Sequence, residues 1–517
     1  MNLGNLISRA AAYWPDRLAV IDGDRRITYR EFEERTNRLA SGLKALGYRE
    51  GTHVGVQGWN SLEVCEVEIA CYKAGFIRVP INARLSLDET VHVINDGMPE
   101  IMIAGPEHAD RISERRAEMP GLKLLVSPGS DSGDMRYEEL LTHGSADQQN
   151  AYPDDDAIAV LHYTSGSSGV LKAAMQSFGN RRALVRKLIA TPFARFETGE
   201  ILAHVGPITH ASGMLMMGVF RVGGTNLMLN RFDVDELLSI VEREKVTRLM
   251  MVPTMVNRVV NHPTVEKYDL SSLRSVLYGA APIAPALVEK AIGLFGPILA
   301  QGYGGGETTS LVTVLTEQDH VDALRNDPRR LSSCGRCYFE TDVQILNDDG
   351  NPVNPGEVGE IVVKGPDVMK GYYNAPEISA GALRDGAYLT GDLAVVDEEG
   401  FIYIVDRKKE MIISGGFNVY PTEVERIIYA IDGIYEVAVV GVPDEEWGEA
   451  IKAVVSLKPG AALSEEDILS ICREKLPGFK RPRSVDFVDS LPTNNNGKIV
   501  RREVRDRYWA DKERKVN

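Results

Sequence analysis

Short apolar runs alternate with stretches of helical period through most of the first three hundred residues, and this rhythm restricts the fold more than any other feature. His53 to Gln57, Phe76 to Pro80 and Ile101 to Ala104 read as strands, and the chain between them has helical spacing. The pattern resumes with Arg182 to Ala190 helical, Ile201 to Val205 extended, Val234 to Glu244 helical, and Arg248 to Val252, Ser275 to Tyr278 and Ile298 to Gln301 extended. A strand, a helix and a further strand make a βαβ unit, so layered α/β sheets are expected. Thr28-x-x-Glu31 has the form of a capping box, followed by Phe32, Leu39, Leu43 and Leu46 at near-helical spacing and a stop at Gly47. Residues 105 to 155, with GSDSGD and YPDDD, are polar and turn-rich and are expected to form a surface connection.

At 517 residues the chain exceeds what one core supports, and 44% hydrophobic with 26% charged residues is ordinary globular composition. From about 340 the texture becomes β-rich, suggesting a small barrel or curled sheet reaching to 407. Beyond it, Pro421 opens a helix with Val424, Ile427, Ile428 and Ile431 on one face and Gly433 at its end. Strands at 437 to 442 and 453 to 457 and a helix near 465 to 476 follow, an independent small domain in size. The expected division is residues 1–407, comprising the layered sheets and the barrel-like subdomain, and 408–517, a small α+β domain.

The formal net charge of -16 argues against a nucleic-acid surface. Five cysteines suit a reducing compartment, and the lone Cys334-x-x-Cys337 pair, with no second pair and no nearby His cluster, reads as incidental spacing ahead of zinc or redox chemistry. No apolar run approaches the roughly 18 residues that span a bilayer, and MNLGNLISRAAAYWPD lacks the form of a secretory signal. A cytoplasmic protein without integral membrane association is expected.

The stretch Tyr163 to Asn180, YTSGSSGVLKAAMQSFGN, carries the first chemistry. Small residues let backbone N–H groups approach an anion, and hydroxyls and one ammonium add donors; by itself the stretch suits either a phosphate grip or a flexible Ser/Gly turn. It is not a P-loop: Lys172 is followed by Ala173 rather than a hydroxyl residue, and the chain after it reads as a strand where a P-loop needs its helix. The turns GAAP (279–282) and GYGGGE (302–307) each follow a strand directly, the place where ligands sit in open α/β sheets.

Taken in order, these motifs resemble the adenylate-forming superfamily of acyl-CoA synthetases, coumarate-type ligases, luciferase-like enzymes and peptide-synthetase adenylation domains. YTSGSSGVLK resembles its phosphate loop, GPITHASG (206–213) its substrate motif and QGYGGGE (301–307) its adenine and magnesium motif. YLTGD (388–392), DRKKEMIISGGFNVYP (406–421) and PTNNNGK (492–498) resemble its ribose, hinge and catalytic-lysine motifs. The resemblance implies an ATP- and Mg2+-dependent carboxylate:CoA ligase acting through an acyl adenylate, with a mobile C-terminal domain. A carboxylate attacking the α-phosphorus brings anion toward anion, which demands positive charge there. On the resemblance Lys498 bridges the carboxylate and α-phosphate, while Lys172, Thr164, Ser165, Gly166, Ser167, Ser168 and Gly169 hold pyrophosphate. Glu307 and Thr164 are the metal positions. Tyr303 stacks on adenine beside Gly279, Ala280 and Ala281, Asp392 takes the ribose hydroxyls, Arg407 contacts ribose or phosphate, and Lys409 is the hinge.

The resemblance also implies coenzyme A as acceptor, reached by the loop Ser414, Gly415 and Gly416. The basic cluster Phe479, Lys480, Arg481, within FKRPR, suits the CoA nucleotide or a polar linker. A carrier protein or another nucleophile is the alternative acceptor, a non-catalytic nucleotide-binding homologue the alternative class, and a homodimer stays open. No Asp stands in the GPITHASG region to pair with an α-amino group, and His210 holds the matching place, so a non-amino acid is expected. Met214, Met217, Met251 and Met255 suit either an acyl pocket or plain core. One departure matters: Gly306 stands where the family usually has Thr, deleting a hydroxyl that contacts the AMP phosphate. With Gly302, Gly304 and Gly305 it borders the expected acyl end. Weaker nucleotide grip, a widened pocket or a changed reaction are the three consequences open at this point.

Overall fold

The computed structural model describes residues 2–164, 170–191, 195–337, 340–444, 446–493 and 499–509. The chain divides into two compact units, Met1–Val343 with Val362–Leu389, and Gln344–Ile361 with Thr390–Asn517.

Two sheets make up most of the first unit. One has nine strands: Arg336–Cys337, Leu311–Leu315, Leu299–Gly304, Ser275–Gly279, Arg248–Met251, Ile201–His204, Thr225–Met228, Leu18–Asp22 and Arg25–Thr28, in that spatial order. Its strands from Leu299–Gly304 to Leu18–Asp22 run parallel, and antiparallel partners close both edges. The other has seven: Met135–Arg136, Leu124–Ser127, Ile101–Ala104, His53–Gly58, Ile77–Asn82, Ile158–Thr164 and Lys172–Ser177. All pairs are parallel except the last, a hairpin. Parallel strands need covering helices on both faces, which is why these strands read as unbroken apolar runs.

The helix Leu62–Ala74 is buried at every position, although its sequence carries four charges. Each charge has a partner from elsewhere in the chain: Glu63 takes Arg25, Glu66 takes Arg35 and the Tyr137 hydroxyl, Glu68 takes Arg78 and Arg181, and Lys73 takes Glu33. The capping box at Thr28 is present, and the helix Tyr29–Ala45 buries Phe32, Leu39 and Leu43; Leu46 falls on its exposed cap.

The expected surface connection at 105–155 is corrected. It holds the helices Pro106–Glu114 and Tyr137–Thr142 and the two outer strands of the seven-stranded sheet. Tyr137 and Leu140 are wholly buried. The apolar run at 124–126 is short and flanked by turns, so local pattern did not separate it from a loop.

The β-rich stretch from about 340 is a five-stranded sheet of Asp342–Leu346, Val358–Lys364, Ala387–Val396 and Leu383–Arg384, with Ile402–Arg407 beside Ala387–Val396. The chain passes between the units within these strands. In the second unit a further sheet orders Phe417–Val419, Ile412–Ser414, Gly448–Leu457 and Ile434–Asp444, with Ser484–Phe487 paired to Gly448–Leu457. Alternate residues face opposite sides. Val437 and Val439 pack with Val424, Ile428 and Ile468 of the helices Pro421–Tyr429 and Glu465–Lys475, while Ala438 and Val440 pack with Leu491 and Val504.

Among the described residues no helix is long and apolar enough to cross a membrane. Cys334 is buried and Cys337 exposed.

Candidate active site

The hairpin Ile158–Thr164 and Lys172–Ser177 carries the Ser/Gly loop at its tip, with Thr164 paired opposite Lys172. A strand after the loop, where a P-loop would have its helix, matches the expectation. Along one face of the hairpin, residues two apart reach the same neighbours. Thr164 Oγ1 donates to Glu307 Oε1 at 2.8 Å, and Gln176 Nε2 donates to the Gly306 carbonyl at 2.8 Å. The Tyr372 hydroxyl donates to Glu307 Oε1 at 3.1 Å, and Met369 N donates to the Glu307 carbonyl at 2.8 Å. Glu307 is thereby fixed from both its side chain and its backbone. Tyr388 bonds to Tyr372 beside it; burial, then the Glu307 carboxylate, pushes its phenol far above the usual value.

The strip that delivers Tyr372 is clamped near its start by Asn180. Ser177 caps the helix Phe178–Ala190, and Asn180 completes the box by accepting from Ser177 N through Oδ1. Its amide nitrogen then donates to the carbonyls of Pro366 and Val368 at 2.8 and 2.9 Å. A Glu at this position would cap the helix equally but has no N–H to give. Residues 369–373 run on beside the strand Lys172–Ser177, with bonds Met175 N to Gly371 O and Tyr373 N to Ala173 O.

The loop after Glu307 rests on a buried charge. Lys187 pairs with Asp367, which also accepts from Ser310 Oγ at 3.0 Å and through its backbone from Thr309 Oγ1 at 2.7 Å.

The GPITHASG segment leaves the strand Ile201–His204 and turns sharply. At Gly213 a Cβ would lie 2.0 Å from the Ile208 carbonyl oxygen, so no other residue closes that turn. His204 ties the turn down: Nδ1 meets Ser212 Oγ at 2.8 Å and Nε2 meets Asn226 Oδ1 at 2.9 Å. Asn226 can only accept through that oxygen, so Nε2 carries the proton and the ring is neutral; burial holds its pKa down at about 4. Asn60, from the other sheet, donates to the carbonyls of His204, Gly206 and Leu229 and accepts from Ile208 N. His210 then stands half-buried, with Nδ1 3.0 Å from Thr209 Oγ1 and its ring 5.2 Å from that of His162. Burial, with Arg78 adding, lowers His210 to about 4.

Strands Ser275–Gly279 and Leu299–Gly304 end together, Gly279 opposite Gly302. A Cβ on Gly279 would meet the Gly302 carbonyl oxygen at 2.3 Å, and one on Gly304 the Ser310 carbonyl oxygen at 2.2 Å. Both glycines permit a close backbone approach that a side chain would block. Ala280 follows with φ of +66°, a left-handed conformation that is uncommon for a residue with a Cβ. Tyr278 is anchored by its hydroxyl, 2.8 Å from His320 Nε2.

In the second unit Asp392 lies opposite Arg407 in adjacent strands, and the two side chains form an ion pair. Asp406 accepts from Thr422 N and Oγ1, and Arg501 joins Glu425, Glu410 and Asp406. The DRKKE run is thus bound to the helix that follows the PTNNNGK motif. Gly415 and Gly416 have φ of +58° and +81° at the tip of the hairpin Ile412–Ser414 and Phe417–Val419. Phe417, 52% exposed, packs against Phe479 with the ring centroids 4.9 Å apart and the planes tilted by 31°. Lys480 pairs with Glu423 at 2.6 Å, and Arg481 Nε donates to the Leu476 carbonyl at 2.8 Å. The glycine hairpin and the FKRPR cluster, far apart in sequence, are neighbours.

Ser165, Gly166, Ser167, Ser168, Gly169 and Lys498 lie outside the described residues. The four methionines do not share one pocket: Met217 belongs to one core, Met251 and Met255 to a second, and Met214 to a third, with Leu277 and Ala300. Asn60, His162, Gln176, Asn180, Tyr372 and Tyr388 were missed by sequence reasoning. For Asn180 a signal existed, an Asn three residues after Ser177 at a helix start.

The family described as AMP-binding enzyme matches residues 7–373, and the AMP-binding enzyme C-terminal domain matches residues 423–498. A feruloyl-CoA synthase of Amycolatopsis sp. is 40% identical, the match covering 98% of this chain and 99% of the relative. A medium/long-chain-fatty-acid–CoA ligase of Mycobacterium tuberculosis is 33% identical, covering 99% and 91%. The crystal structure of ATP-bound MatB from Rhodopseudomonas palustris is 30% identical, covering 99% of each chain with a TM-score of 0.88.

Proposed function

This chain belongs to the AMP-binding enzyme family and is an AMP-forming carboxylate:CoA ligase, and from that premise we propose that it activates a non-amino aromatic acid of the hydroxycinnamic type on the residues assembled around Glu307. The 40% identity with a feruloyl-CoA synthase along the whole chain carries the choice of acid. The neutral His210, with no carboxylate on its turn to pair an ammonium group, supports a non-amino acid.

The chemistry asked of the residues is electrostatic. Lys172 and the loop at 165–169 grip the phosphates, Lys498 bridges the attacking carboxylate and the α-phosphate, and Tyr303 with Gly279, Ala280 and Ala281 receives adenine. Asp392 takes the ribose hydroxyls, and Arg407 contacts ribose or phosphate. Mg2+ typically binds one or two carboxylates together with phosphate oxygens; Glu307 and the Thr164 hydroxyl are such hard oxygen donors and would hold it. When bound, it offsets the charge of the departing pyrophosphate. Among the described residues no group of three or more His, Cys, Asp or Glu is placed to hold a metal by itself, which fits an ion that arrives with the nucleotide.

Lys409 is proposed as the hinge of a mobile domain, 408–517, that withdraws Lys498 after adenylation. It then presents Ser414, Gly415 and Gly416 with Phe479, Lys480 and Arg481 to coenzyme A. A cytoplasmic setting fits these substrates, and a carrier protein or a second copy of the chain is a further partner to test.

The decisive experiment incubates the protein with ATP, Mg2+ and a panel of ferulate, coumarate, indoleacetate and medium-chain fatty acids. Acid-dependent AMP and pyrophosphate are expected, with acyl-CoA only when CoA is added and ferulate or coumarate turned over fastest. Release of ADP would sink the mechanism, and preference for the fatty acid would overturn the choice of acid.

A further inference from the structure

Gly306 is the position where a side chain is missing, and His162 fills the space. A Cβ built on Gly306 would lie 2.4 Å from His162 Cδ2, 3.2 Å from His162 Nε2 and 2.9 Å from Thr164 Cγ2. Real Cβ atoms do not approach carbon so closely, so a side chain at 306 would displace the imidazole at 162 from this position. The imidazole has one edge where a β-hydroxyl on residue 306 would be. It stands among the residues expected to handle phosphate and metal: Thr164 is two residues on along the same face, Lys172 is opposite Thr164, and Glu307, which accepts from Thr164, is next to Gly306. Among the described residues neither ring nitrogen of His162 has a hydrogen-bond partner, while the neighbouring His210 has Thr209 on Nδ1. The ring has an N–H to give.

Resting on the ligase reading above, we propose that His162 is a substrate-contacting residue that donates an imidazole N–H to an oxygen of the AMP phosphate. Gly306 is then required by His162: the pair exchanges a hydroxyl on one loop for an imidazole on the facing strand. Burial, followed by the neighbouring His210, Arg78 and Arg181, lowers the His162 pKa well below its ordinary value. A neutral ring keeps one N–H, which suffices for a donor.

The test is a double-mutant cycle read by calorimetric titration with AMP and with adenosine. His162→Ala is expected to weaken AMP roughly 10- to 100-fold, the range for a hydrogen bond to a charged group. It should leave adenosine unchanged. Gly306→Thr alone should weaken AMP through the clash, and the double variant, with both space and hydroxyl, should recover most of the loss. His162→Gln, which keeps an N–H, should recover part of it. Equal loss of AMP and adenosine, or a double variant no better than His162→Ala, would overturn the proposal. Should His162→Ala fail to fold, the ring nitrogens of the wild-type protein, labelled with 15N, must shift with AMP and not with adenosine; no difference overturns it as well. Acid-dependent pyrophosphate exchange by the wild type tests the ligase reading separately, since AMP titration needs no turnover.

Discussion

Lys187 and Asp367 are both essentially excluded from water, and their value lies in each other. Burial lowers the Lys187 pKa while Asp367 opposes the change. Removing one partner leaves a buried charge unpaired, which costs about 3 to 5 kcal/mol, whereas replacing both by apolar groups is far milder. Lys187→Met is therefore expected to lower stability by that amount in urea denaturation, with Lys187→Met/Asp367→Leu recovering much of it. A single variant within about 1 kcal/mol of wild type would contradict the pairing. None of this was legible beforehand. Lys187 sits in a helical stretch where a lysine is ordinarily a solvated face, and its partner is far along the chain. Glu307, by contrast, was singled out on the family resemblance of QGYGGGE, because a motif keeps its residues in local order.

At the scale of elements, the site depends on a strip without regular structure, 366–373, clamped to a helix N-terminus by Asn180. Asn180→Asp keeps the capping oxygen but loses the two N–H bonds and sets a carboxylate against two carbonyls. A cost of roughly 2 to 4 kcal/mol is expected. Hydrogen exchange should quicken at the amides of Met369 and Tyr373, with the amides of Phe178–Ala190 unaffected; uniform acceleration would mean the clamp is not local. Elements with strong period were read correctly: Val234–Glu244 and Ile101–Ala104 have the expected bounds. The strands at 124–127 and 484–487 were not found, because strands of four residues flanked by turns carry too few residues for a period to show. The helix Leu62–Ala74 shows the converse: its charges suggest a solvated face, yet paired from a distance they lie wholly inside.

Across the whole molecule, buried histidines make the fold sensitive to acid. His204 and His320, both inaccessible, are held by burial at about 4, below the usual 6.5. The unfolded chain therefore binds protons that the folded chain refuses, and stability falls as pH drops from about 6.5 to about 4. Each contributes roughly 2 kcal/mol of loss by pH 5. Glu66, which burial raises to about 7, acts in the opposite sense over this range, so the check is the change on removing a histidine: the response of the urea midpoint between pH 7 and pH 5 should shift toward stabilisation in His204→Gln and in His320→Gln, and an unchanged response in both would refute the burial argument. The two half-reactions give a second check. Lys498→Ala should abolish adenylate formation while largely sparing thioester formation from supplied acyl-AMP; equal loss of both would contradict domain alternation. The sequence by itself determined the α/β class and the order of the motifs that resemble the family, because strand and helix periods and glycine turns are written in neighbouring residues. Only the tertiary structure decided which side chains face one another: that Glu307 meets Thr164 and Tyr372, that Asn60 ties two sheets together, and that His162 fills the place beside Gly306. Those are long-range contacts, set by packing between strands that no local pattern relates.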